Sequence, residues 1–420
     1  MSTFKDGDHA VLTCHDRTKI VQIRKGRICR YRDSIFEISS VSSWTSLLCS
    51  YVYKYNPIFI DKNKIFLDHL IDQRDGSYFE LKDKYLCNID TNQAKKFIQT
   101  EDISSDNAGQ DNRDLCDDGS VNQTLQHEEI EQLKSEGVSG QLIISQLVSK
   151  SATFEKKTAF SQQKYLNKKK KKYILIYRAW KPSIRLLCQA YTHDLQKILY
   201  LRRDTLAMLL SLSNISNGSN VAIVESCQGI ILASVIQRCA GGNGFIFNLT
   251  PAGEKNSTSP CCDFMDFSNE YTTNVYTIPI ENVGDLNTIE RANQAKPIEK
   301  PTNEKTLQAL ERRQRRLDGL QLFEKTKLNS LIIASKYDSL SILQHLIDYL
   351  ALSSHFVIYS QTVQNLLECY QFLKKRGGNI HVEIADSWLR EYQILDERTH
   401  PFIRMSGASG YLLSGMIVQS

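Results

Sequence analysis

Asn220-Val-Ala-Ile-Val-Glu225 and Gly244-Phe-Ile-Phe-Asn-Leu249 decide the fold of this 420-residue chain. Both are short apolar runs, which is typical of strands that are buried on both faces of a parallel sheet. Between them, Ile230 to Cys239 is an apolar segment of helical length, and Gly241-Gly242 follows it. The stretch therefore predicts a strand–helix–strand unit of about thirty residues, the opening of a doubly wound α/β domain.

Downstream of this unit, apolar runs of strand length alternate with amphipathic segments of helical length. Strands are predicted at 330–334, 355–359, 380–384 and 411–418, and helices at 341–352 and 362–375. Polar, irregular insertions interrupt the alternation near 252–270 and 285–306. The rhythm is typical of α/β proteins and predicts a Rossmann-like domain over residues 176–420.

Residues 1–97 are predicted to form a separate domain made of strands. Runs at 10–13, 18–23 and 34–38 are rich in β-branched and aromatic residues, and short polar breaks separate them. This regular spacing favours a small β-barrel-like domain or a sandwich.

Two segments of opposite charge connect these domains. Residues 98–125 are polar, and between Glu101 and Asp118 they hold seven acidic side chains and one basic side chain, Arg113. This composition predicts an acidic flexible connector. Residues 126–175 have apolar side chains at helical spacing among many lysines, which predicts a basic helical segment.

Composition narrows the class of protein. The hydrophobic fraction of 41% and the charged fraction of 24% are those of an ordinary soluble protein. We expect neither a signal peptide nor a membrane span, since no apolar run approaches about 18 residues. The eleven cysteines show no CxxC spacing, so we expect buried thiols in a reducing compartment and no metal site.

The turn after the first α/β strand is where such folds bind a cofactor. It runs Glu225-Ser226-Cys227-Gln228-Gly229-Ile230-Ile231, with Gly229 as its only glycine. Cys227 and Ile231 stand where a close approach of the backbone to a ligand favours glycine. The end of the second strand, Asn248-Leu249-Thr250-Pro251, offers no carboxylate for a ribose. A packed turn is therefore favoured over a bound nucleotide, and no catalytic motif accompanies it.

The basic stretch is the clearest candidate for binding. Between Lys150 and Arg185 there are twelve basic side chains and one acidic side chain, Glu155. Aromatic residues between these lysines are available for packing or stacking, and Arg202-Arg203 and the arginines of 312–316 extend the charge. A solvated helix face or a nuclear-import signal is the alternative, but the extent of the charge favours contact with a nucleic acid.

Several ordered motifs resemble one family over nearly the whole chain. They are Asp114-Leu-Cys-Asp-Asp-Gly119, Phe154-Glu-Lys-Lys-Thr158, Lys164 to Tyr173, Arg203-Asp-Thr-Leu-Ala207, Glu225-Ser-Cys-Gln-Gly229, Leu367-Glu-Cys-Tyr370, Arg376-Gly-Gly378, Trp388-Leu-Arg390, His400-Pro401, Met405-Ser-Gly407 and Tyr411-Leu-Leu-Ser-Gly415. The family is the non-catalytic subunit of the eukaryotic tRNA (adenine-N1)-methyltransferase, which modifies the T-loop adenosine at position 58. The segments near 45–100 and 252–306 and the extreme N-terminus lie outside the resemblance.

The resemblance implies a fold, a function and a partner. The fold is an N-terminal β domain, a connector and a C-terminal methyltransferase-like Rossmann domain without a functional cofactor loop. The function is tRNA binding with no catalytic, cofactor-binding or metal-binding residue of its own. The partner is the catalytic paralogue, which binds S-adenosylmethionine and forms a nuclear heterotetramer of two catalytic and two non-catalytic subunits on tRNA.

By the same resemblance, tRNA contacts are expected at particular residues. They are Asn112, Arg113, Asp114, Asp117, Asp118, Gly119, Lys164, Tyr165, Lys168, Lys169, Lys170, Lys171, Lys172, Tyr173, His193, Lys197, Tyr200, Arg313, Lys336, Lys374, Lys375, Arg376, Gly377, Gly378, Gln393, Arg398 and His400. Around Arg113 we expect the guanidinium and backbone N–H groups, and not the acids, to face phosphate. The segments 374–382 and 393–400 are expected at strand ends that form the binding edge of the sheet.

Two alternatives remain open from the sequence. One is an active S-adenosylmethionine-dependent RNA methyltransferase with an atypical cofactor loop. The other is a basic scaffold protein whose lysines serve only as an import signal. Binding of S-adenosylmethionine by this chain would favour the first, and a lack of tRNA affinity would favour the second.

Overall fold

The computed structural model describes most of the chain in two compact units. The described residues are 2–15, 17–24, 58–60, 63–82, 85–98, 124–135, 138–239, 241–251, 259–285, 304–394, 399–403, 405, 407 and 409–419. The units are Met1–Pro182 and Ser183–Ser420.

Seven described strands belong to the first unit. They are β1 His9–Cys14, β2 Arg17–Gln22, β3 Ile58–Ile60, β4 Asn63–Ile65, β5 Tyr78–Lys82, β6 Tyr85–Ile89 and β7 Ile176–Trp180. Five of them form one antiparallel sheet in the order β2-β1-β7-β5-β6, and β3 pairs with β4. Leu12, Phe79, Leu86 and Tyr177 are buried together on one face of this sheet. Within the described residues β2 and β6 are its edges, so closure into a barrel stays a prediction.

Strand β7 corrects the predicted domain boundary at residue 176. It pairs with β1 and β5, so it belongs to the first unit, and the division falls between Pro182 and Ser183. The pattern of a short apolar strand shows that it is buried but does not show which sheet it joins. Strand β7 joins the N-terminal sheet because Tyr177 and Ala179 pack into the core of that sheet.

Four helices complete the first unit. They are α1 Thr91–Ile98, α2 His127–Ser135, α3 Gly140–Ser149 and α4 Ala159–Tyr173. Helices α1 and α3 bring Ala94 and Ile144 against Ile176 of the sheet. A Cβ at Gly140 would lie 2.2 Å from the carbonyl oxygen of Tyr173, so a glycine is needed where α3 begins beside the end of α4. The prediction of helices within 126–175 agrees with α2, α3 and α4, whereas most of 98–125 lies outside the described residues.

The second unit contains a seven-stranded sheet. Its strands, with a short additional hairpin, are β8 Val221–Glu225, β9 Ile246–Thr250, β10 Val275–Pro279, β11 Leu328–Ala334, β12 Leu350–Ser360, β13 Asn379–Asp386, β14 Tyr392–Gln393, β15 His400–Pro401 and β16 Tyr411–Ile417. The order is β10-β9-β8-β11-β12-β16-β13, in which β16 alone runs antiparallel to its neighbours. The order of strands reverses between β8 and β11, and a crevice at such a point is where Rossmann folds bind ligands.

Helices flank this sheet. They are α5 Ile184–Ala190, α6 Arg203–Leu212, α7 Ile230–Cys239, α8 Pro260–Phe264, α9 Asn269–Thr272, α10 Glu304–Lys325, α11 Ser339–Leu346 and α12 Val363–Arg376. Phe247, Phe323, Leu331 and Phe356 are among the fully buried residues of the core. No helix in the described part of the chain is long and apolar enough to cross a membrane.

The predicted strand–helix alternation is confirmed, with three differences. The predicted helix 341–352 ends early, because β12 begins at Leu350. The segment 252–270, predicted as irregular, contains α8. Strand β10 was missed because it is an edge strand whose side chains are mostly only half-buried, which weakens the apolar signal.

Candidate nucleic-acid interface and altered cofactor turn

The turn that follows β8 is filled by its own side chains. Cys227 is 0% exposed, and its thiol donates to the carbonyl oxygen of Ala334 at 3.7 Å. Ile231 is also fully buried. Gly229 has a φ of +78°, and a Cβ added to it would lie 2.5 Å from the Cβ of Ser259. The backbone of this turn therefore packs against the chain just before α8.

Glu225, the first residue of the same turn, binds the N-terminus of α7. Its carboxylate accepts hydrogen bonds from the backbone N–H groups of Ile231, at 3.2 Å, and Leu232, at 2.8 Å. It thus satisfies donors in the first turn of α7 that have no partner within the helix. Burial raises the pKa of Glu225 to about 7, although the N–H groups act in the opposite direction. The carboxylate of Glu225, at the end of β8, is therefore hydrogen-bonded to α7.

Helix α8 covers the outside of the turn. The Cys261 N–H donates to the carbonyl oxygen of Gln228 at 3.1 Å, and the Cys262 thiol donates to that of Gly229 at 3.6 Å. The Cys261 thiol also lies 3.9 Å from the hydroxyl oxygen of Tyr191. Burial raises the pKa of Cys261 to about 12, so this thiol is neutral and serves in packing.

At the end of β9, the described residues Asn248 to Pro251 include no carboxylate for a ribose. Thr250 occupies this place, and its hydroxyl donates to the carbonyl oxygen of Ile278 at 3.4 Å. Among the described residues, no cluster of His, Cys, Asp and Glu has the arrangement of a metal site.

The predicted lysine run lies on α4, where its members occupy two different environments. Lys164, Lys168, Lys171 and Lys172 are exposed, and their spacing places them on one face of the helix. The opposite face carries Leu166 and Tyr173, which pack against the core of the first unit. This arrangement leaves a cationic face directed away from the core, which suits phosphate groups.

The aromatic ring of Tyr165, within the lysine-rich helix α4, packs against neighbouring side chains. The ammonium groups of Lys157 and Lys169 lie 5.2 and 5.1 Å from the centre of the Tyr165 ring, and the Phe154 ring is 5.6 Å away. Burial lowers the pKa of Lys169, and the neighbouring lysines, Lys172 first, lower it further. Lys170 is half-buried and lies four residues after Leu166, so its position is nearer to the packed face. Of the two roles left open for Tyr165, the geometry favours packing over stacking on a base.

In the second unit, one group of predicted residues lies at the carboxyl edge of the sheet. Lys336 follows β11 and is exposed, with its ammonium group 5.1 Å from the Tyr337 ring. His193 and Lys197 are exposed, and Lys197 pairs with Asp194 at 2.6 Å.

Tyr200 belongs to the same edge. Leu199 and Tyr200 both have a left-handed backbone, with φ of 51° and 58°. The hydroxyl of Tyr359, near the end of β12, donates to the Leu199 carbonyl oxygen at 2.7 Å. Two successive non-glycine residues in this conformation are costly, so the surrounding contacts must hold the turn that exposes Tyr200.

The hairpin β14–β15 carries Gln393 and His400. These residues are directly opposite each other in the ladder, and their Nε2 atoms are 3.2 Å apart. The hairpin follows β13 in the chain, so it begins from the carboxyl edge. The described residues of this segment therefore lie at a strand end, as predicted, and their contact with tRNA stays a prediction.

The segment 374–378 corrects the sequence analysis. Lys374, Lys375 and Arg376 end α12, and Gly377 and Gly378 precede β13. Since β13 runs parallel to β12, this segment lies at the amino edge of the sheet, opposite to Lys336. Arg376 donates to Asp348, which lies two residues before β12, at 2.8 Å. The expectation that it shares one edge with 393–400 was wrong.

The remaining predicted residues are placed as follows. Arg313 is exposed on α10, whose Arg315 donates to the carbonyl oxygen of Val275 at 3.1 Å. Outside the described residues lie Asn112, Arg113, Asp114, Asp117, Asp118, Gly119 and Arg398.

The charge attributed to Arg202 and Arg203 is neutralised within the protein. Arg202 binds Asp204 through two hydrogen bonds of 2.6 and 2.7 Å, and Arg203 binds Glu391 at 2.6 Å. Both arginines were predicted to extend the basic charge that contacts a nucleic acid. The Arg-x-Asp spacing was the available sign of the first pair, whereas the second joins positions 188 residues apart.

The strand order and the antiparallel β16 define a methyltransferase-like Rossmann domain, in which Ser259 packs against the turn that follows β8. A SAM-dependent O-methyltransferase from Thermotoga maritima is similar, with a TM-score of 0.50 and 10% identity over 100% of this chain and 96% of that one. This likeness shows the fold alone. The model of the Gcd10p family matches residues 46–314, and the chain belongs to this family.

Curated relatives cover most of the chain. A protein from Mus musculus is 32% identical over 88% of this chain and 85% of its own length. One from Dictyostelium discoideum is 34% identical over 73% of this chain and 63% of its own length. Both are named as the tRNA (adenine(58)-N(1))-methyltransferase non-catalytic subunit.

Proposed function

We propose that this chain is the non-catalytic, tRNA-binding subunit of a tRNA (adenine(58)-N(1))-methyltransferase. Membership of the Gcd10p family and the names of its relatives support this over an active enzyme and over a general scaffold. The structural observation that carries it is the turn Glu225–Gly229, which is occupied by the chain's own groups in an otherwise complete methyltransferase-like sheet.

S-adenosylmethionine binds to the catalytic partner and not to this chain. The residues present do not fit the cofactor, because Ser259 packs against Gly229 and the Glu225 carboxylate is bound to α7. Thr250 leaves the ribose without an acidic partner. No step of methyl transfer therefore uses side chains of this turn.

The cationic face of α4 supplies phosphate contacts. Lys164, Lys168, Lys171 and Lys172 point away from a buried face that fixes the helix to the first unit. Lysines held in this way neutralise phosphates without a need for the chain to refold. At the carboxyl edge of the second unit, Lys336 and Tyr200 offer a cation and a tyrosine ring to RNA.

The chain works as part of a larger assembly. Its relatives are named as subunits, and we infer a heterotetramer of two catalytic and two non-catalytic chains in the nucleus. A separate non-catalytic subunit lets the assembly extend its RNA-binding surface beyond the reacting base. The five-lysine run of α4 is also compatible with nuclear import.

The test is reconstitution. The full chain is expressed with and without the catalytic subunit, and methylation of adenosine 58 in a tRNA transcript is measured together with tRNA affinity. We expect activity only when both subunits are present, and weaker tRNA binding by the catalytic subunit alone. Full activity of the catalytic subunit without this chain, at equal tRNA affinity, would contradict the proposal.

A further inference from the structure

Arg202 and Asp204 form a largely buried ion pair at the carboxyl edge of the second unit. Their side chains are only 13% and 19% exposed. Besides its two bonds to Asp204, the Arg202 guanidinium donates to the carbonyl oxygen of Ser387 at 3.0 Å and to that of Gly407 at 3.5 Å. The pair therefore joins three segments that are distant in the sequence.

Hydroxyl groups extend this network. The Ser387 hydroxyl lies 2.7 Å from that of Thr205 and 3.1 Å from that of Ser409. Thr205 is fully buried and Ser409 nearly so. Although partial burial acts to raise the pKa of Asp204, hydrogen bonds from Arg202 and Ser387 lower it below its ordinary value. The carboxylate is thus ionised and satisfied throughout the neutral range.

The three segments carry or border the proposed tRNA contacts of this edge. Arg202 follows Tyr200 by two residues, and Ser387 begins the connection from β13 to the hairpin β14–β15. At the base of the hairpin, the Phe402 N–H donates to the Glu391 carbonyl oxygen at 2.9 Å, while the Glu391 carboxylate binds Arg203. Displacement of Ser387 or of residues 202–203 would thus move both the turn at Tyr200 and the hairpin β14–β15.

Neutralised charge cannot attract phosphate as a free cation does. A largely buried ion pair also adds little net stability, because desolvation offsets its attraction. Orientation is the remaining contribution. We infer that the Arg202–Asp204 pair is a positioning device, which holds the turn at Tyr200 and the hairpin of Gln393 and His400 in the mutual orientation that tRNA requires. This inference rests on the proposed tRNA-binding function.

Asp204→Asn distinguishes positioning from direct contact. The variant raises the net charge by one and frees Arg202 from its carboxylate. If Arg202 itself contacted phosphate, tRNA affinity would stay the same or increase. Positioning predicts the opposite, namely weaker tRNA binding by roughly tenfold, because oriented contacts tolerate displacements of only about 0.5 Å. The kcat of the complex at saturating tRNA should change by less than about twofold, since the reacting groups are elsewhere.

Ser387→Ala tests the same inference without a change in charge. It removes the hydroxyl bonds to Thr205 and Ser409 and should raise the KM for tRNA while kcat is preserved. Glu80→Gln is the matched control for Asp204→Asn, because it also removes an acid from an ion pair, with Lys82 at 2.9 Å, but lies in the first unit. Each variant is assayed in the full complex, and its thermal unfolding midpoint is recorded.

The outcomes separate the inference from the proposed function. Unchanged or tighter tRNA binding by both Asp204→Asn and Ser387→Ala would overturn the positioning role. This holds even if the complex is active and needs this chain to bind tRNA. Should Asp204→Asn fail to fold, Ser387→Ala alone decides the matter. If the complex needs no non-catalytic subunit to bind tRNA, the proposed function fails, independently of either variant.

Discussion

A Cβ placed on Gly229 would lie 2.5 Å from the Cβ of Ser259. In a cofactor-binding Rossmann turn, the lack of a side chain leaves space for the ligand. Here the same lack of a side chain leaves space for Ser259, which directly precedes α8. Cys261 and Cys262 of α8 then hydrogen-bond to the turn. The glycine has therefore become a packing position.

Gly229→Ala should destabilise the second unit more than Gly218→Ala. Both glycines have a left-handed φ, +78° and +85°, so both variants incur a backbone penalty of about 1 kcal/mol. At Gly218 an added Cβ meets nothing within 4 Å, whereas at Gly229 it meets Ser259. We expect the difference in unfolding free energy to exceed about 1 kcal/mol by denaturant titration. Equal losses at the two sites would show that the space beside Gly229 is open.

S-adenosylmethionine should not bind to this chain. Calorimetry of the full chain with S-adenosylmethionine is expected to give no heat of binding in the micromolar range. The double variant Cys227→Gly and Ile231→Gly should not gain affinity either, because Ser259 still covers Gly229 and Thr250 still replaces the ribose acid. Micromolar binding by the wild-type chain would contradict this prediction and would favour an active methyltransferase.

The contribution of Glu225 to stability should decrease as pH rises between about 4.5 and 7. Burial raises the pKa of Glu225 from 4.5 to about 7, so the folded chain binds this proton more tightly than the unfolded chain does. The contribution of Glu225 is thus fully present below pH 4.5 and is lost as pH rises through 7. The loss is on the order of 3 kcal/mol.

Glu225→Gln isolates this contribution. The amide keeps one oxygen, which can accept from one of the two N–H groups of α7, and it does not titrate. The pH dependence of the unfolding free energy should therefore be flatter in the variant than in the wild-type chain. Identical profiles for the two proteins would mean that Glu225 is not the group responsible.

Replacing two lysines of α4 should weaken tRNA binding through its electrostatic part. For Lys168→Ala with Lys172→Ala, the slope of log K against log salt concentration should fall in magnitude by about 1.4–1.8. Lys95→Ala with Lys96→Ala is the matched control, since it removes two exposed lysines from α1 in the same unit. If the control variant lowers the slope as much as the α4 variant does, a specific phosphate contact on α4 would be contradicted.

The local pattern of residues determined much of this protein. Apolar runs such as 220–225 predicted the buried strands, because burial on both faces requires an unbroken apolar segment. The lysines of 168–172 were placed correctly on a helix. Cys227, Ile231 and the missing ribose acid indicated the altered turn, because these positions depend on side-chain size and type alone. The resemblance supplied the family, which the comparisons confirmed.

Other properties depended on contacts between distant parts of the chain, and only the tertiary structure decided them. The residues 374–378 lie at the amino edge because β13 runs parallel to β12, and a local apolar pattern carries no strand direction. Arg203 is neutralised by Glu391, and Ser259 fills the space at Gly229, although neither pair is close in the sequence. Periodicity reports whether a side chain is buried. Which partner it meets is fixed when the whole sheet assembles.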